Sequence, residues 1–460
     1  MPTVLTEAMS TQEVPTLPPR AHPSSQAEPQ PWTVFVAASP GPSKPGNDAL
    51  LVLDADGLRI GREEDPGASG PCLVLADPSV SRRHAVLCVE PTSDELMLLD
   101  CNSSYGMYVN GAPITRATLR PGDILRLGDS LLVIGRGQPA PSEEAKALGI
   151  VGRAPAIHEL RRILRHVAPS GLVVLAVGQT GTGKELVARA VHDTSKRSGA
   201  FVAINCAALP ATLVENLLFG HRKGAYTGAS SDEEGAFVRA RSGTLFLDEV
   251  GELPLESQPK LLRALENREV TPIGAVHPVT VDARIVVATN VDLRAAVAAG
   301  HFREDLYARL AGLVVRSPPL LERREDIVPL LEHCFAQAEL AERPMNADFV
   351  ESVLRYAWPR NVRELVKLCE RLVVLHPDAA RWERAMLDVE MQGESAPAVT
   401  PRRAEGTGQT GERPPSREQL IALLAQCDGN VTEVARLVGR NRKQVYRWMA
   451  SYALEPGTGR

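Results

Sequence analysis

Aromatic residues and paired cysteines are both scarce in this 460-residue chain. Phe, Trp and Tyr make up only 4% of the residues while 44% are hydrophobic, so globular domains with aliphatic cores are predicted. The seven cysteines are scattered, without CxxC pairs or histidines at metal-ligand spacing. This pattern gives no metal site and is typical of a protein in a reducing cytoplasm.

Long hydrophobic runs and a strong net charge are also missing. No apolar run approaches the roughly 18–20 residues that a membrane span needs. The proline-rich start lacks the basic-then-apolar order of a signal peptide, so we expect a cytoplasmic protein without membrane contact. The formal net charge of -5 argues against a generally basic surface, and any contact with DNA must come from a local patch.

Changes in composition divide the chain, which is long enough for roughly three domains. Residues 1–31 are rich in Pro, Ser and Thr and are predicted to be disordered. Short β-prone runs separated by turn residues then predict an all-β sandwich. These runs are 32–37, 50–53, 85–89, 95–99 and 131–134. The predicted segments after residue 31 are the sandwich at 32–137, a linker at 138–148, an α/β domain at 149–320, a helical region at 321–391, a linker at 392–415 and a small helical domain at 416–460.

A glycine-rich octet directly follows the apolar run 172–177. A buried strand that leads into such a turn and then a helix is the context of a P-loop, whose backbone N–H groups close around phosphate oxygens. Lys184 would reach the β- and γ-phosphates. The alternative is a plain structural turn. The octet predicted to bind nucleotide is Gly178, Gln179, Thr180, Gly181, Thr182, Gly183, Lys184 and Glu185.

Two further apolar runs end in polar side chains. The run 243–247 leads into Asp248 and Glu249, which suits a Walker B element in which Asp248 holds magnesium and Glu249 polarises a water. This acidic site matters for the metal, because Glu185 stands where Ser or Thr normally offers magnesium a hydroxyl. A third run ends at Asn290, which can sense the γ-phosphate. Three converging strand tips predict a nucleotide-hydrolysing α/β domain.

Several short motifs follow one another in order between residues 150 and 387. They are NCAAL at 205–209, LFGH at 218–221, GAYTGA at 224–229, FREDLY at 302–307 and WPRNVREL at 358–365. Together they resemble the AAA+ domain of bacterial enhancer-binding proteins, which activate sigma-54 RNA polymerase. The resemblance implies an ATPase that uses ATP and Mg²⁺ and acts as a homo-oligomeric ring, a hexamer or heptamer.

The resemblance also implies a contact with sigma-54 through one loop. Its residues are Gly224, Ala225, Tyr226, Thr227, Gly228 and Ala229. Glycines at both ends permit an exposed tip, and an aromatic ring presented there implies a partner. Tyr226 replaces the usual Phe, which keeps the ring and adds a hydroxyl. The alternative is an ordinary surface turn.

Further roles follow from the same resemblance. Asn205 would hold Glu249 in an inactive pose, which links the loop to the state of the γ-phosphate. Arg303 and Arg309 would act as arginine fingers in the site of the neighbouring subunit, which is why activity implies a ring. Without the FRxDLxxRL spacing, a solvated helix residue would be the simpler interpretation of either arginine.

The helical region carries one more expected nucleotide contact. Within the WPRNVREL motif, Arg363 fits the sensor that touches nucleotide from the helical lid. Arg360 replaces the glycine that is usual in this motif, so the local turn is expected to differ from that of relatives.

Residues 428–439 and 440–450 are predicted to form two short helices joined at a glycine. This pattern matches a helix-turn-helix and resembles the Fis-type domain that ends most proteins of the family. Arg, Asn and Gln reach base edges, while Lys and Arg pair with phosphates of double-stranded DNA. Val445 and Trp448 are expected in the core, and a solvated charged helix is the alternative. The expected DNA contacts are Arg440, Asn441, Arg442, Lys443, Gln444, Tyr446 and Arg447.

Three motifs of the β-rich region, RIGR at 59–62, DPSVSRRH at 77–84 and VNG at 109–111, resemble a forkhead-associated (FHA) domain. Such domains bind phosphothreonine peptides, so a phosphothreonine protein or a Ser/Thr kinase is the implied partner. His84 is expected to be structural. Tyr105 replaces an Asn that usually bonds the peptide backbone, so altered preference for flanking residues is expected. The expected phosphate contacts are Arg62, Ser81, Arg82 and Ser104.

The sequence therefore favours a sigma-54-dependent activator with three parts. These are an all-β FHA sandwich, an α/β AAA+ P-loop domain with a helical lid, and a small all-α helix-turn-helix domain. One rival is a DNA-bound repressor or scaffold that binds nucleotide without remodelling, and the intact Asp248, Glu249 and Arg303 argue against it. A second rival, a AAA+ remodeller unrelated to transcription, is disfavoured by the Tyr226 loop and the DNA-binding tail.

Overall fold

A computed structural model describes most of the chain between residues 30 and 388. The described residues are 30–40, 50–53, 57–64, 70–138, 146–207, 211–226, 229–340, 343–388 and the single residues 391, 420, 424, 434, 445 and 449. The chain divides into two compact units, 1–400 and 401–460. No helix in the described part is long and apolar enough to cross a membrane.

The N-terminal part of the first unit is a sandwich of two sheets. The strands described there are β1 (Trp32–Ala38), β2 (Leu50–Val52), β3 (Leu58–Gly61), β4 (Cys72–Val74), β5 (Ala85–Val89), β6 (Leu96–Asp100), β7 (Met107–Val109), β8 (Ala112–Ile114), β9 (Arg116–Leu119), β10 (Ile124–Leu127) and β11 (Ser130–Arg136). One sheet has the order β2-β1-β11-β10-β7-β8 and the other β4-β3-β5-β6-β9. Strands β3 and β4 are parallel, and the other neighbours are antiparallel. The predicted all-β sandwich is confirmed.

A parallel sheet forms the centre of the α/β part. Its strands are β12 (Val174–Val177), β13 (Phe201–Asn205), β16 (Thr244–Asp248), β19 (Arg284–Thr289) and β20 (Leu313–Arg316), in the order β13-β16-β19-β12-β20. Two small ladders pair β14 (Gly220–His221) with β15 (Glu233–Glu234) and β17 (Glu269–Val270) with β18 (Val279–Thr280). Because the strands of the central sheet are parallel, their carboxyl ends and the functional side chains that follow them share one edge.

Helices cover this sheet and form a separate lid. The α/β part contains α1 (Pro155–Val167), α2 (Lys184–Thr194), α3 (Ala211–Phe219), α4 (Ala236–Arg239), α5 (Gln258–Asn267), α6 (Leu293–Ala298) and α7 (Glu304–Leu310). The lid contains α8 (Ile327–Gln337), α9 (Ala347–Arg355) and α10 (Asn361–Leu375). Trp382 anchors the lid core, where it is fully buried and stacks on Phe335 with ring centroids 4.6 Å apart. The predicted α/β domain with a helical lid is confirmed.

The second unit is described at five positions only. Leu420, Leu424, Val434, Val445 and Met449 are all helical and buried. Their spacing of four between Leu420 and Leu424, and between Val445 and Met449, places each pair on one helix face. Val445 lies in the core as expected, whereas Trp448 and the seven predicted DNA contacts lie outside the described residues.

Candidate nucleotide and phosphopeptide sites

The P-loop joins β12 to α2, which begins at Lys184. Gly181 and Gly183 have φ of 79° and 102°, a region in which side chains other than glycine are strained. Lys184 is buried, and its Nζ donates to the carbonyl oxygens of Gly178 at 3.0 Å and Gln179 at 3.4 Å. The loop therefore holds the ammonium group in place beside its own backbone.

Glu249, at the carboxyl end of β16, faces the P-loop lysine. Its Oε1 lies 3.6 Å from Lys184 Nζ, and its Oε2 accepts a hydrogen bond from the backbone N–H of Asn290 at 3.1 Å. The backbone of Glu249 has a φ of 51°, which is unfavourable for a non-glycine residue. Strain of this kind is concentrated at functional sites, where the surrounding contacts hold it.

The two asparagines lie at the carboxyl ends of β13 and β19, the strands on either side of β16. Asn290 Nδ2 donates to Thr180 Oγ1 at 3.0 Å, so the expected γ-phosphate sensor contacts the P-loop directly. Asn205 pairs with Asp248 in the sheet register, and its Oδ1 accepts from the backbone N–H of Ala207 at 2.9 Å. The switch role of Asn205 toward the catalytic carboxylate stays a prediction.

Asp248 has the environment of a cation ligand. Burial, and next the neighbouring Glu249 carboxylate, raise the pKa of Asp248 above its ordinary value. A divalent cation would offset both effects, and carboxylate oxygens are the donors that magnesium prefers. Glu185, by contrast, pairs with Arg189 at 2.7 Å on the exposed side of α2. Asp248 therefore fits the metal better than Glu185 does.

The two expected arginine fingers contact residues outside the P-loop. Arg303 forms two hydrogen bonds with the carboxylate of Asp305, at 3.0 and 2.6 Å, beside the start of α7. Arg309 Nη2 donates to the carbonyl oxygen of Leu265 at 3.1 Å. Arg303 is exposed, and the contacts of both arginines lie within one subunit. Their role as arginine fingers in the site of a neighbouring subunit stays a prediction.

The lid contacts the P-loop through Asn361, a residue for which the sequence predicted no role. Its fully buried side-chain amide donates to Gln179 Oε1 at 3.2 Å and to Thr180 O at 3.1 Å. Its Oδ1 accepts from the backbone N–H of Leu320 at 2.7 Å. The signal available in the sequence was the asparagine of the WPRN run, which is the first residue of the helix that carries Arg363.

The same turn explains why Arg360 is tolerated. Arg360 has a φ of −110°, a value that any residue adopts, so this turn does not need glycine there. Glycine is required instead at Gly181, where a Cβ would lie 2.1 Å from the Arg360 carbonyl oxygen. The backbone N–H of Arg363 donates to Gly181 O at 3.3 Å, which places the predicted sensor beside the P-loop.

The loop at 224–229 projects next to β14. Gly224 N–H donates to Ala229 O at 2.9 Å and closes its base. The Tyr226 ring is 45% exposed and packs against His221, with ring centroids 5.0 Å apart. Residues 227–228 lie outside the described part of the chain.

Three of the four residues expected to bind phosphothreonine meet at one end of the sandwich. The backbone N–H of Ser104 donates to Ser81 Oγ at 3.0 Å, and that of Arg62 donates to Ser81 O at 3.0 Å. The Arg62 and Arg82 guanidinium groups lie 3.6 and 3.9 Å from the Glu63 carboxylate. The Arg82 side chain is 77% exposed.

The His84 side chain links the segment that contains Ser81 to the segment that contains Gly106. It is fully buried, and its Nδ1 accepts from the Ser81 backbone N–H at 3.0 Å. Nε2 therefore carries the proton and faces Gly106 O at 3.1 Å. Burial lowers the pKa of His84, which favours this neutral form. Tyr105 is half-exposed at the rim, where the family places Asn.

Comparison with known proteins agrees with this geometry. The sigma-54 interaction domain family matches residues 150–316, the AAA+ ATPase lid domain 321–403, the FHA domain 58–128 and the Fis family of bacterial regulatory proteins 416–452. The transcriptional regulatory protein GlrR of Escherichia coli (strain K12) is 41% identical over 324 residues, which cover 69% of this chain and 71% of GlrR. The chain belongs to the sigma-54-dependent transcriptional activators.

Two further relatives show how much of the chain is shared. The regulator NtrC of Bradyrhizobium sp. (strain RP501 Parasponia) is 42% identical over 287 residues, 60% of this chain and 59% of NtrC. The structure of NtrX from Brucella abortus in complex with ADP is similar with a TM-score of 0.49 and 32% identity, covering 68% of this chain and 72% of NtrX. The family matches show that this activator carries a AAA+ sigma-54 interaction ATPase domain together with an FHA domain and a Fis-type helix-turn-helix.

Lys184→Ala is expected to abolish ATP binding, because the ammonium group is the one buried cation of the P-loop octet. Glu249→Gln is expected to keep ATP binding and lose at least about 100-fold in turnover, since the water-polarising carboxylate is gone. Binding by calorimetry and phosphate release by the purified proteins measure the two effects. Glu252→Gln, an exposed acid three residues on, is the matched control. Near-normal turnover in Glu249→Gln would contradict the assignment.

Proposed function

We propose that this activator binds DNA upstream of its promoters and remodels the sigma-54 RNA polymerase closed complex by ATP hydrolysis in a homo-oligomeric ring. The observation that carries the proposal is the convergence of Lys184, Glu249 and Asn290 at one sheet edge. The FHA domain is proposed to receive the signal as a phosphothreonine, from a partner protein or a Ser/Thr kinase. The place of action is the cytoplasm.

Hydrolysis is proposed to divide its tasks among the residues of this edge. Lys184 and the P-loop N–H groups hold the phosphates, and Glu249 orients the attacking water. Asp248 would hold Mg²⁺, which neutralises charge on the phosphate oxygens when bound. The ion pair of Glu249 with Lys184 and the hydrogen bond that it accepts from the Asn290 backbone N–H keep its carboxylate at the end of the strand. Arg363 of the lid is proposed to contact the nucleotide.

Charge on the transferring phosphoryl group requires further cations, and we propose that a neighbouring subunit supplies them. Arg303 is exposed and ion-paired only to Asp305 in the described part of its own chain, so it is free to change partner. A hexameric or heptameric ring, with Arg309 as the second finger, would complete each site.

Arg303→Ala is expected to bind ATP but not hydrolyse it, because the charge in the neighbouring site is missing. Mixing this variant with Lys184→Ala subunits is expected to restore part of the ATPase activity, since some interfaces then contain an intact P-loop and an intact finger. Phosphate release against mixing ratio is the measurement. A mixture that stays as inactive as its components would exclude a shared site built from Arg303.

The exposed Tyr226 ring is proposed to contact sigma-54. A half-exposed aromatic ring on a loop with glycine ends is apolar surface available to a partner. The loop base is closed by its own hydrogen bond between Gly224 and Ala229, so the ring can be removed without disturbing the sheet edge that binds nucleotide.

Tyr226→Ala is therefore expected to keep ATPase activity within about twofold and to lose open-complex formation at a sigma-54 promoter. Tyr226→Phe, which retains the ring, is the matched control and should stay active. Promoter melting and phosphate release are measured on the same preparations. Full melting by Tyr226→Ala would remove the loop from the mechanism.

The Fis-type domain is proposed to place the ring near its promoters. The proposed DNA contacts are the basic and amide residues of the second predicted helix, from Arg440 to Arg447. Contacts to phosphates release counterions, so the affinity of the full chain for operator DNA should fall steeply with salt.

Phosphothreonine binding is expected at the end of the sandwich where Arg62, Ser81 and Ser104 meet. Arg62→Ala or Ser81→Ala in the full chain should weaken the binding of a phosphothreonine peptide by at least about tenfold, since each removes a partner of the charged phosphate. Arg120→Ala, an exposed arginine of the same domain, is the control. Calorimetry with phosphorylated and unphosphorylated peptides is the measurement. Binding that ignores both substitutions would assign this domain to a structural role.

A further inference from the structure

One sheet of the FHA sandwich is buried on both faces along β1, β10 and β11. Side chains alternate along a strand, so the two faces can be followed residue by residue. Val34 and Leu132 face the sandwich core, whereas their neighbours Phe35 and Val133 belong to the hydrophobic core of the AAA+ lid. Phe35 is only 3% exposed and Val133 fully buried. The outer face of an antiparallel sheet, which is usually solvated, is here covered by the lid.

An ion cluster flanks this apolar contact. Arg126 of β10 lies on the same outer face, and its Nη1 donates to Asp348 at 2.8 Å and to Glu351 at 2.6 Å, both on α9. The Arg126 and Glu351 side chains are 24% and 14% exposed. Partly buried pairs are screened less by salt than exposed ones, so this cluster can hold the two domains in one register.

Helix α9, which covers this sheet face, is followed by the turn that contacts the nucleotide site. Trp358 follows α9, is 1% exposed, and its Nε1 donates to Val353 O of α9 at 2.8 Å. Three residues later, Asn361 places its amide on Thr180 of the P-loop. Helix α9 and the turn that contacts the P-loop are therefore fixed to one another.

A second connection runs through two consecutive arginines of the lid entrance. Arg324 Nη1 donates to the carbonyl oxygen of Gly122 in the FHA domain at 2.7 Å. Its neighbour Arg323 is buried, and its Nη2 donates to Thr182 O in the P-loop at 3.1 Å. A displacement of the FHA domain would thus reach the P-loop by two routes.

We propose that the FHA domain docks on the AAA+ lid through its outer sheet face and the Arg126 cluster, and that this docking is coupled to ATP binding. The docked lid is the one that contacts the P-loop, so loss of docking weakens nucleotide binding. Because such coupling is reciprocal, nucleotide in turn stabilises the docked FHA domain. The proposal rests on the nucleotide site proposed above and adds the route by which the FHA domain acts on it.

Two substitutions in the full chain remove docking without touching the nucleotide site. Arg126→Glu repels the two carboxylates of α9, and Ala37→Arg places a long cation in the apolar contact, where Ala37 is only 7% exposed. Arg116→Glu, at an exposed position on the edge strand of the other sheet, is the matched control. Arg126→Glu combined with Glu351→Arg restores an ion pair and serves as the rescue variant.

Hydrogen exchange over 347–355 reports docking, and calorimetry with ATP reports binding. Faster exchange at α9, a rise in the ATP dissociation constant of at least about fivefold, and recovery of both in the rescue variant are expected. Faster exchange with ATP affinity within twofold of the parent overturns the coupling. Unchanged exchange in both docking variants overturns the docked interface itself. Failure of the unsubstituted protein to bind ATP would instead contradict the proposed function.

Discussion

The buried amide of Asn361 is the contact on which the rest of the nucleotide site depends. Its Nδ2 donates to Gln179 and Thr180 of the P-loop, and its Oδ1 accepts a hydrogen bond from the backbone N–H of Leu320. Leaving such a buried group without partners costs about 1–3 kcal/mol. The lid turn is therefore held close to the P-loop, and the helix that begins there brings the backbone of Arg363 into contact with Gly181.

Three parts of the fold meet around this contact and form the nucleotide site. Parallel strands bring Glu249 and Asn290 to one edge, the P-loop supplies Lys184 at the same edge, and the lid closes the site from above. The FHA sandwich packs against the lid through β1, β10 and β11. Because the FHA domain shares a hydrophobic core with the lid, a change in its position is proposed to affect the ATPase directly.

Much of this organisation was predictable because its signals are local. The P-loop, the acidic strand tip and the strands 85–89 and 131–134 follow from short runs whose periodicity and turn residues are visible in the sequence. The predicted strand at 172–177 begins only at Val174, where its pairing with β19 and β20 begins. Glu185 turns outward to Arg189, which the sequence of the octet alone does not reveal.

The FHA–lid interface was not predictable in the same way, since Arg126 and its carboxylate partners are more than 200 residues apart. One signal did exist: Leu131–Ile134 is apolar at every position, which indicates a strand covered on both faces rather than on one. It does not say what covers the second face. The identity of the covering helix is a property of the tertiary structure, as is the burial of Asn361.

The most direct test of the central claim is promoter melting by the purified full chain, followed by permanganate reactivity of unpaired thymines in the presence of sigma-54 RNA polymerase. The account predicts melting with ATP and none with a non-hydrolysable analogue, because remodelling requires turnover at Glu249. Active ATP hydrolysis without any melting at sigma-54 promoters would contradict it.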